Sequence, residues 1–198
     1  CGPSFFWGAC RECQRLLLDV VLPIFKSGSG AKSQYRALRN NNYETNICYS
    51  PLKSDNFVSL MDEMRDRIVA QAKRHRTKCV EFLRQLIATP SESQQEEAIA
   101  LRVRKEMLEL NYDSVDIDRF GNVIGRIGSG PTRILFDAHL DTPGIGDKAS
   151  WRFDPFKGDM KAGKIYGHGA ANNKGGLAAI IYAGAIIKEL DLADECTI

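Results

Sequence analysis

Thr132-Arg133-Ile134-Leu135-Phe136-Asp137-Ala138-His139-Leu140-Asp141-Thr142 is the stretch whose reading decides the fold. Gly128-Ser129-Gly130-Pro131 ahead of it is turn chemistry, and the residues that follow favour extended backbone, so Thr132 to Ala138 is expected to be a strand. Within it, Arg133 to Ala138 is expected to lie in the interior of a sheet. The strand delivers His139 and Asp141 at its carboxyl end, the end at which open α/β sheets place their ligand sites. Alternation puts the two side chains on one face.

Working outward, two more β-type runs precede this strand, Ser114 to Ile117 and Asn122 to Ile127, separated by Arg119-Phe120-Gly121-Asn122. After it comes a loop from His139 to about Gly163, then a short strand Lys164-Ile165-Tyr166. Lys174 to Leu190 reads as a helix with Leu177, Ile180, Ile181, Ala185 and Ile186 inward, and Cys196-Thr197-Ile198 begins a further β run. Toward the amino end, Met61, Met64, Ile68, Val69, Val80, Phe82, Leu83, Leu86 and Ile87 recur near helical period, so Met61 to Ile87 reads as one amphipathic helix that Pro90 stops. Ser93 and Glu96 have capping-box spacing ahead of a second helix that ends near Asn111. His75 falls among Lys73, Arg74, Arg76 and Lys78 and reads as a solvated histidine on a basic face. Helices, then strands, then strand, helix and strand describe an α/β domain, a sheet flanked by helices that stops where another strand should enter.

Composition narrows the function classes. The 198 residues are 43% hydrophobic and 26% charged with a formal net charge of +2, which fits a single domain or a domain with a tail. A charge this near zero leaves no electrostatic footprint for nucleic acid or an anionic membrane. The longest apolar run, Leu16 to Phe25, is broken by Asp19 and Pro23 and falls short of the ~20 residues a spanning helix needs. The expected partner is a small molecule or short peptide.

Residues 1–60 differ in kind from residues 61–198. They hold Cys1, Cys10, Cys13 and Cys48, begin with Cys, and contain no Met before Met61, so they are expected to be an unassigned extension, either not native or disordered. Cys10 and Cys13 have the spacing of a zinc or redox pair but no second pair to complete it, and unliganded reduced thiols are the plainer reading. The scattered cysteines suit a reducing compartment, which makes the cytoplasm the expected location.

The chemistry concentrates after the strand. A neutral imidazole at position 139 suits zinc, and a carboxylate two residues on can set its tautomer. Downstream stand Trp151-Arg152-Phe153-Asp154-Pro155-Phe156 and Gly163-Lys164-Ile165-Tyr166-Gly167-His168-Gly169-Ala170-Ala171-Asn172-Asn173-Lys174-Gly175-Gly176. With these, the sequence resembles the co-catalytic zinc metallopeptidases and deacylases that include acetylornithine deacetylase, succinyl-diaminopimelate desuccinylase and carboxypeptidase G, family twenty of the metallopeptidases. Asp141-Thr142-Pro143-Gly144-Ile145-Gly146 and the Trp151 segment look most like the hydrolase subgroup associated with selenium metabolism. The resemblance spans about Met61 to Ile198.

Residue by residue, the resemblance implies that His139 is a zinc ligand, that Asp141 is the catalytic aspartate orienting it, and that Asn172 occupies the position of an aspartate bridging two zinc ions. It also implies a cis bond between Asn172 and Asn173. Two departures stand out. An amide offers one good acceptor and no charge where a carboxylate would serve both metals, and His168 stands where the family has an arginine, readable as a loop histidine or an adventitious ligand. The family's later ligands, its general-base glutamate and the smaller domain through which it dimerises match nothing in this chain, which reads as the amino-terminal part of the catalytic domain. The expected function is that part of a zinc-dependent hydrolase cleaving an N-acyl amino acid or peptide. The alternative is a non-catalytic relative or inactive fragment.

Overall fold

The computed structural model describes residues 54–198. Cys10, Cys13, Cys48 and the Leu16 to Phe25 run lie outside them. Helix α1, Ser54–Ala88, is followed by α2, Glu97–Glu109, and by the antiparallel hairpin of β1, Ser114–Ile117, and β2, Val123–Arg126. Strand β3, Thr132–Arg133, precedes a second antiparallel hairpin of β4, Asp159–Lys161, and β5, Lys164–Tyr166. Helix α3, Gly175–Glu189, leads to β6, Cys196–Thr197, which pairs parallel with β3. Among the described residues no helix is long and apolar enough to cross a membrane.

Sequence and structure agree on an α/β arrangement of strands flanked by helices, and differ in several places. The strands form three separate two-stranded sheets rather than one. The expected interior strand Arg133 to Ala138 is paired only at its start, where Arg133 lies opposite Thr197 and Ile134 N–H donates to Thr197 O; no backbone partner is seen for residues 135–138 among the described residues. Leu135 is accordingly 89% exposed. The capping box does not form either: Ser93 Oγ donates to Asp141 and accepts from no N–H at the start of α2, and Glu96 instead accepts from Gln94 N–H. Finally, α1 begins at Ser54, ahead of the Met61 from which the pattern is read.

The core follows from helical period. Phe82, Leu83, Leu86 and Ile87 of α1 meet Ile99 and Val103 of α2 and Leu177, Ala178, Ile181 and Tyr182 of α3, all buried. Full burial of such side chains contributes about 1.5–3 kcal/mol each. Inside this core Glu106 is only 6% exposed, and a buried carboxylate is costly unless paired. Arg102 and the Tyr182 hydroxyl both donate to it, and Arg102 also donates to Gln85 Oε1 at 2.7 Å and lies over the Phe82 ring. His75 is not solvated as expected. It contacts Glu189 at 2.8 Å and meets the Tyr182 ring edge-on, so α1 and α3 are joined along their length.

Both later helices end in the same way. Asn111 and Asp191 take left-handed backbone at φ 58° and 54°, and the next amides, those of Tyr112 and Leu192, donate back to Met107 O and Ile187 O. The first of these turns aims Tyr112 inward, where its hydroxyl donates to Ile181 O at 2.7 Å. Gly184 leaves room for that hydroxyl, since a methyl there would overlap the Tyr112 oxygen. Gly184→Ala is therefore expected to lower stability by about 1–3 kcal/mol, measured by urea unfolding, whereas the same change at open Gly121 should cost little through packing.

Asp113 ties the α3 end to the hairpin by accepting from Lys188 Nζ and from Gly128 N–H, and these bonds, the lysine's first, hold its carboxyl below the usual carboxylate range. A lowered folded pKa gives stability that is present above the unfolded value of about 3.9 and lost as pH falls through the folded one. Asp113→Asn should thus be less stable than the parent near neutral pH, with the gap closing in acid. A gap unchanged down to the acid limit of folding would contradict the pairing.

Candidate functional site

Residues 89–93, between α1 and α2, assemble the site from two directions. Pro90 ends α1, and the segment that follows offers backbone groups to two distant parts of the chain. Ser91 O accepts from Thr142 N–H at 2.7 Å, Glu92 bridges to Thr142, and Ser93 Oγ donates to Asp141 Oδ2 at 2.6 Å. On the other side, Lys174 Nζ donates to Thr89 O at 2.8 Å. Lys174 is 1% exposed, and burial pulls its pKa down to about 8. Gly169, at φ 73°, allows the loop ahead of α3 to pack on this cluster, with Thr142 and Lys174 against it. The five residues Ala170–Lys174 then form a π-type turn in which Asn172 is extended and the Asn172–Asn173 bond is cis, as the resemblance implies.

This brings together the three residues singled out in the sequence. His139 Nδ1 lies 2.9 Å from Asp141 O and 3.1 Å from Asp141 Oδ1, and His139 Nε2 lies 3.1 Å from Asn172 Oδ1. Ser93, followed by His139, holds the Asp141 carboxyl below the usual range. At His139, partial burial pulls the pKa down, but the bonds to Asn172 and Asp141 outweigh it and hold the imidazole above 6.5. Both ring nitrogens face oxygen acceptors, an arrangement that suits the doubly protonated ring. The site lies at one end of a groove of about 1290 Å³ between α2, the β1–β2 hairpin and residues 134–141, with Leu177, Ile180 and Ile181 of α3 on its lining.

Zinc does not fit this donor set. A catalytic site wants about three protein ligands and an open position, whereas here His139 Nε2 faces a neutral amide. Among the described residues no group of three or more His, Cys, Asp or Glu could hold a metal ion. That finding overturns the expectation that this chain is a working part of a zinc-dependent hydrolase. His168 adds no ligand. It is 7% exposed, its ring lies edge-on to Trp151 and Phe156, and burial, then the Lys174 charge, lowers its pKa. It is a loop histidine buried in the packing against Trp151 and Phe156.

Sequence reasoning missed Lys174 and Thr142, and it assigned Ser93 to a helix cap. Spacing carries no sign of the Lys174 bond to Thr89, which joins residues 85 positions apart. Burial of a lysine in an Asn-Asn-Lys-Gly-Gly turn shows only in three dimensions.

Residues 135–198 match the model of Peptidase family M20/M25/M40. The chain is 44% identical over 131 residues to the protein YgeY of Escherichia coli K12, covering 66% of this chain and 32% of that protein. It is 34% identical over 108 residues to succinyl-diaminopimelate desuccinylase of Methylocella silvestris, covering 53% and 28%. Human carnosine dipeptidase 1 shares the fold, with a TM-score of 0.54 at 22% identity over 64% of this chain and 31% of that one. The chain thus spans about a third of the length of these relatives.

Gly169 is the position where loop placement is most sensitive. A methyl there would lie 2.8 Å from Thr142 Cγ2, in a backbone conformation that side chains avoid. Gly169→Ala is expected to cost about 1–3 kcal/mol and to shift the His139 and Asn172 side-chain resonances together, read by NMR.

Proposed function

Because this chain is related to the M20/M25/M40 peptidases, we propose that it is a non-catalytic relative or inactive fragment of them, keeping the fold and one side of the site without hydrolysing an amide bond. The observation that carries this reading is the 3.1 Å contact between His139 Nε2 and Asn172 Oδ1. The nitrogen that would donate to a metal is turned to an amide oxygen, and the amide brings no negative charge to hold a cation. Asp141 orients His139, but no described group in reach completes a ligand set.

A small molecule or short peptide remains the ligand class. The groove that ends at His139 and Asp141 has the concave, largely apolar form such ligands use. The finer likeness, to the selenium-associated subgroup, rests on Asp141 to Gly146 and the Trp151 segment alone.

The test is metal analysis after dialysis, run beside an N-acyl amino acid hydrolysis assay on the same 198-residue chain. The expected result is substoichiometric zinc and no turnover. Asn172→Asp should tighten zinc binding and still give no turnover, because a carboxylate there supplies a ligand and a charge but neither a third ligand nor a base. Chelator-sensitive hydrolysis by the unaltered chain would overturn the reading.

A further inference from the structure

Residues 143–157 form a flap with bonds of its own. Asp147 accepts from Ala149 N–H, Trp151 Nε1 donates to Ile145 O at 2.9 Å, and Asp154 pairs with Lys148 while accepting from Phe156 N–H. The flap is fastened to the rest of the fold by Phe153, stacked on Tyr166, and above all by His168. His168 N–H donates to Pro155 O at 2.6 Å, one ring nitrogen is bonded to Pro143 O, and the ring meets Trp151 and Phe156 edge-on at 5.7 and 6.0 Å. The backbone beneath this ring has no room to shift, since a methyl on Gly167 or Gly169 would overlap Ile87 Cγ2 or Thr142 Cγ2. What can yield is the flap.

The neutral imidazole suits this place and the charged one does not. Nδ1 is sealed from solvent and has no hydrogen-bond partner among the described residues, so a second proton placed there would meet no acceptor. It would also set a positive charge beside the buried Lys174 ammonium of the turn before α3. Glu92, from the segment after α1, pulls the other way, but it is exposed and water weakens its attraction. The flap's Asp154 and Lys157 are occupied by Lys148 and Asp159, and Arg84 of α1 by Glu81. Burial first, then Lys174, accordingly holds the His168 pKa below its ordinary value.

We propose that His168 is an acid-operated latch, whose protonation lifts the flap of residues 143–157 away from the ring and lets water reach Nδ1. The ring titrates below its ordinary value with the flap closed and near 6.5 with it open. Closure is therefore fully favoured above about pH 6.5 and weakens as pH falls, by up to about tenfold in the open-to-closed ratio per pH unit, until the closed-form value is reached. Lifting uncovers Lys174 and loosens the chain directly after Asp141 and Thr142. The latch thus acts beside the His139–Asn172 contact and does not depend on whether that site is catalytic.

The experiment is acrylamide quenching of Trp151 fluorescence between pH 7.5 and 5.0, with far-UV circular dichroism to show that the helices persist. The chain has two tryptophans, so Trp7→Phe serves as the parent in which Trp151 alone emits. Its quenching constant is expected to rise about threefold or more across that range, in step with the open-to-closed ratio. Adding His168→Gln, which keeps a donor for Pro143 O but takes no proton, should abolish the rise. That variant retains His75 and His139, so a rise caused by either would persist. Adding Glu92→Gln, a change at an exposed side chain, removes the carboxylate that favours the charged ring and should make the acid rise larger than the parent's. A parent whose quenching is indifferent to pH, an acid rise that survives His168→Gln, or a rise in the Glu92→Gln chain that does not exceed the parent's would each overturn the proposal.

Discussion

The bond from the buried Lys174 ammonium to Thr89 O is the constraint on which the arrangement of the site depends. A lysine that is 1% exposed is tolerated only where its charge meets an acceptor. The carbonyl of Thr89, just past the end of α1, supplies one. That bond holds the turn before α3 against the segment after α1. The same segment, through Ser91, Glu92 and Ser93, holds Thr142 and Asp141. His139 and Asn172, 33 positions apart, therefore meet because each is anchored to one five-residue stretch rather than because they attract each other.

The large elements were legible because they are written in local periodicity. Phe82, Leu83, Leu86 and Ile87 announce the buried face of α1, and Leu177, Ile181, Ala185 and Ile186 that of α3. Arg119-Phe120-Gly121-Asn122 marks the β1–β2 turn, which the structure shows to be fastened by the Asp118 carboxylate accepting from Phe120 N–H and Asn122 N–H. What local reasoning could not reach were choices between partners. Ser93 has the spacing of a helix cap, yet Asp141, 48 residues away, takes its hydroxyl. Ile134 to Ala138 has the composition of an interior strand, but strand formation needs a neighbour, and β6 reaches only as far as Ile134. Of the site, the meeting of His139, Asp141 and Asn172 could be anticipated from motif resemblance. The buried lysine that positions them could not.

Replacing a carboxylate by an amide alters more than one ligand. With Asn172 Oδ1 toward His139 Nε2, the three side chains and Ser93 form a line of hydrogen bonds from Ser93 through Asp141 and His139 to Asn172 that places no demand for a cation. A carboxylate at the same place would also accept from an imidazolium, but it would leave net negative charge for a metal to answer. The amide leaves none, so the cluster is stable as a purely organic network.

The extended segment that bears His139 also separates two scales of order within one fold. The amides of α3 are bonded in a helix whose residues Ala178, Ile181, Tyr182 and Ala185 are sealed in the core, so they exchange with solvent only when that core opens. The backbone N–H groups of residues 135–140 have no acceptor among the described residues and need no such opening. His139 is thus carried on backbone whose isotope exchange is set locally, a few ångströms from a helix whose exchange reports the stability of the whole domain.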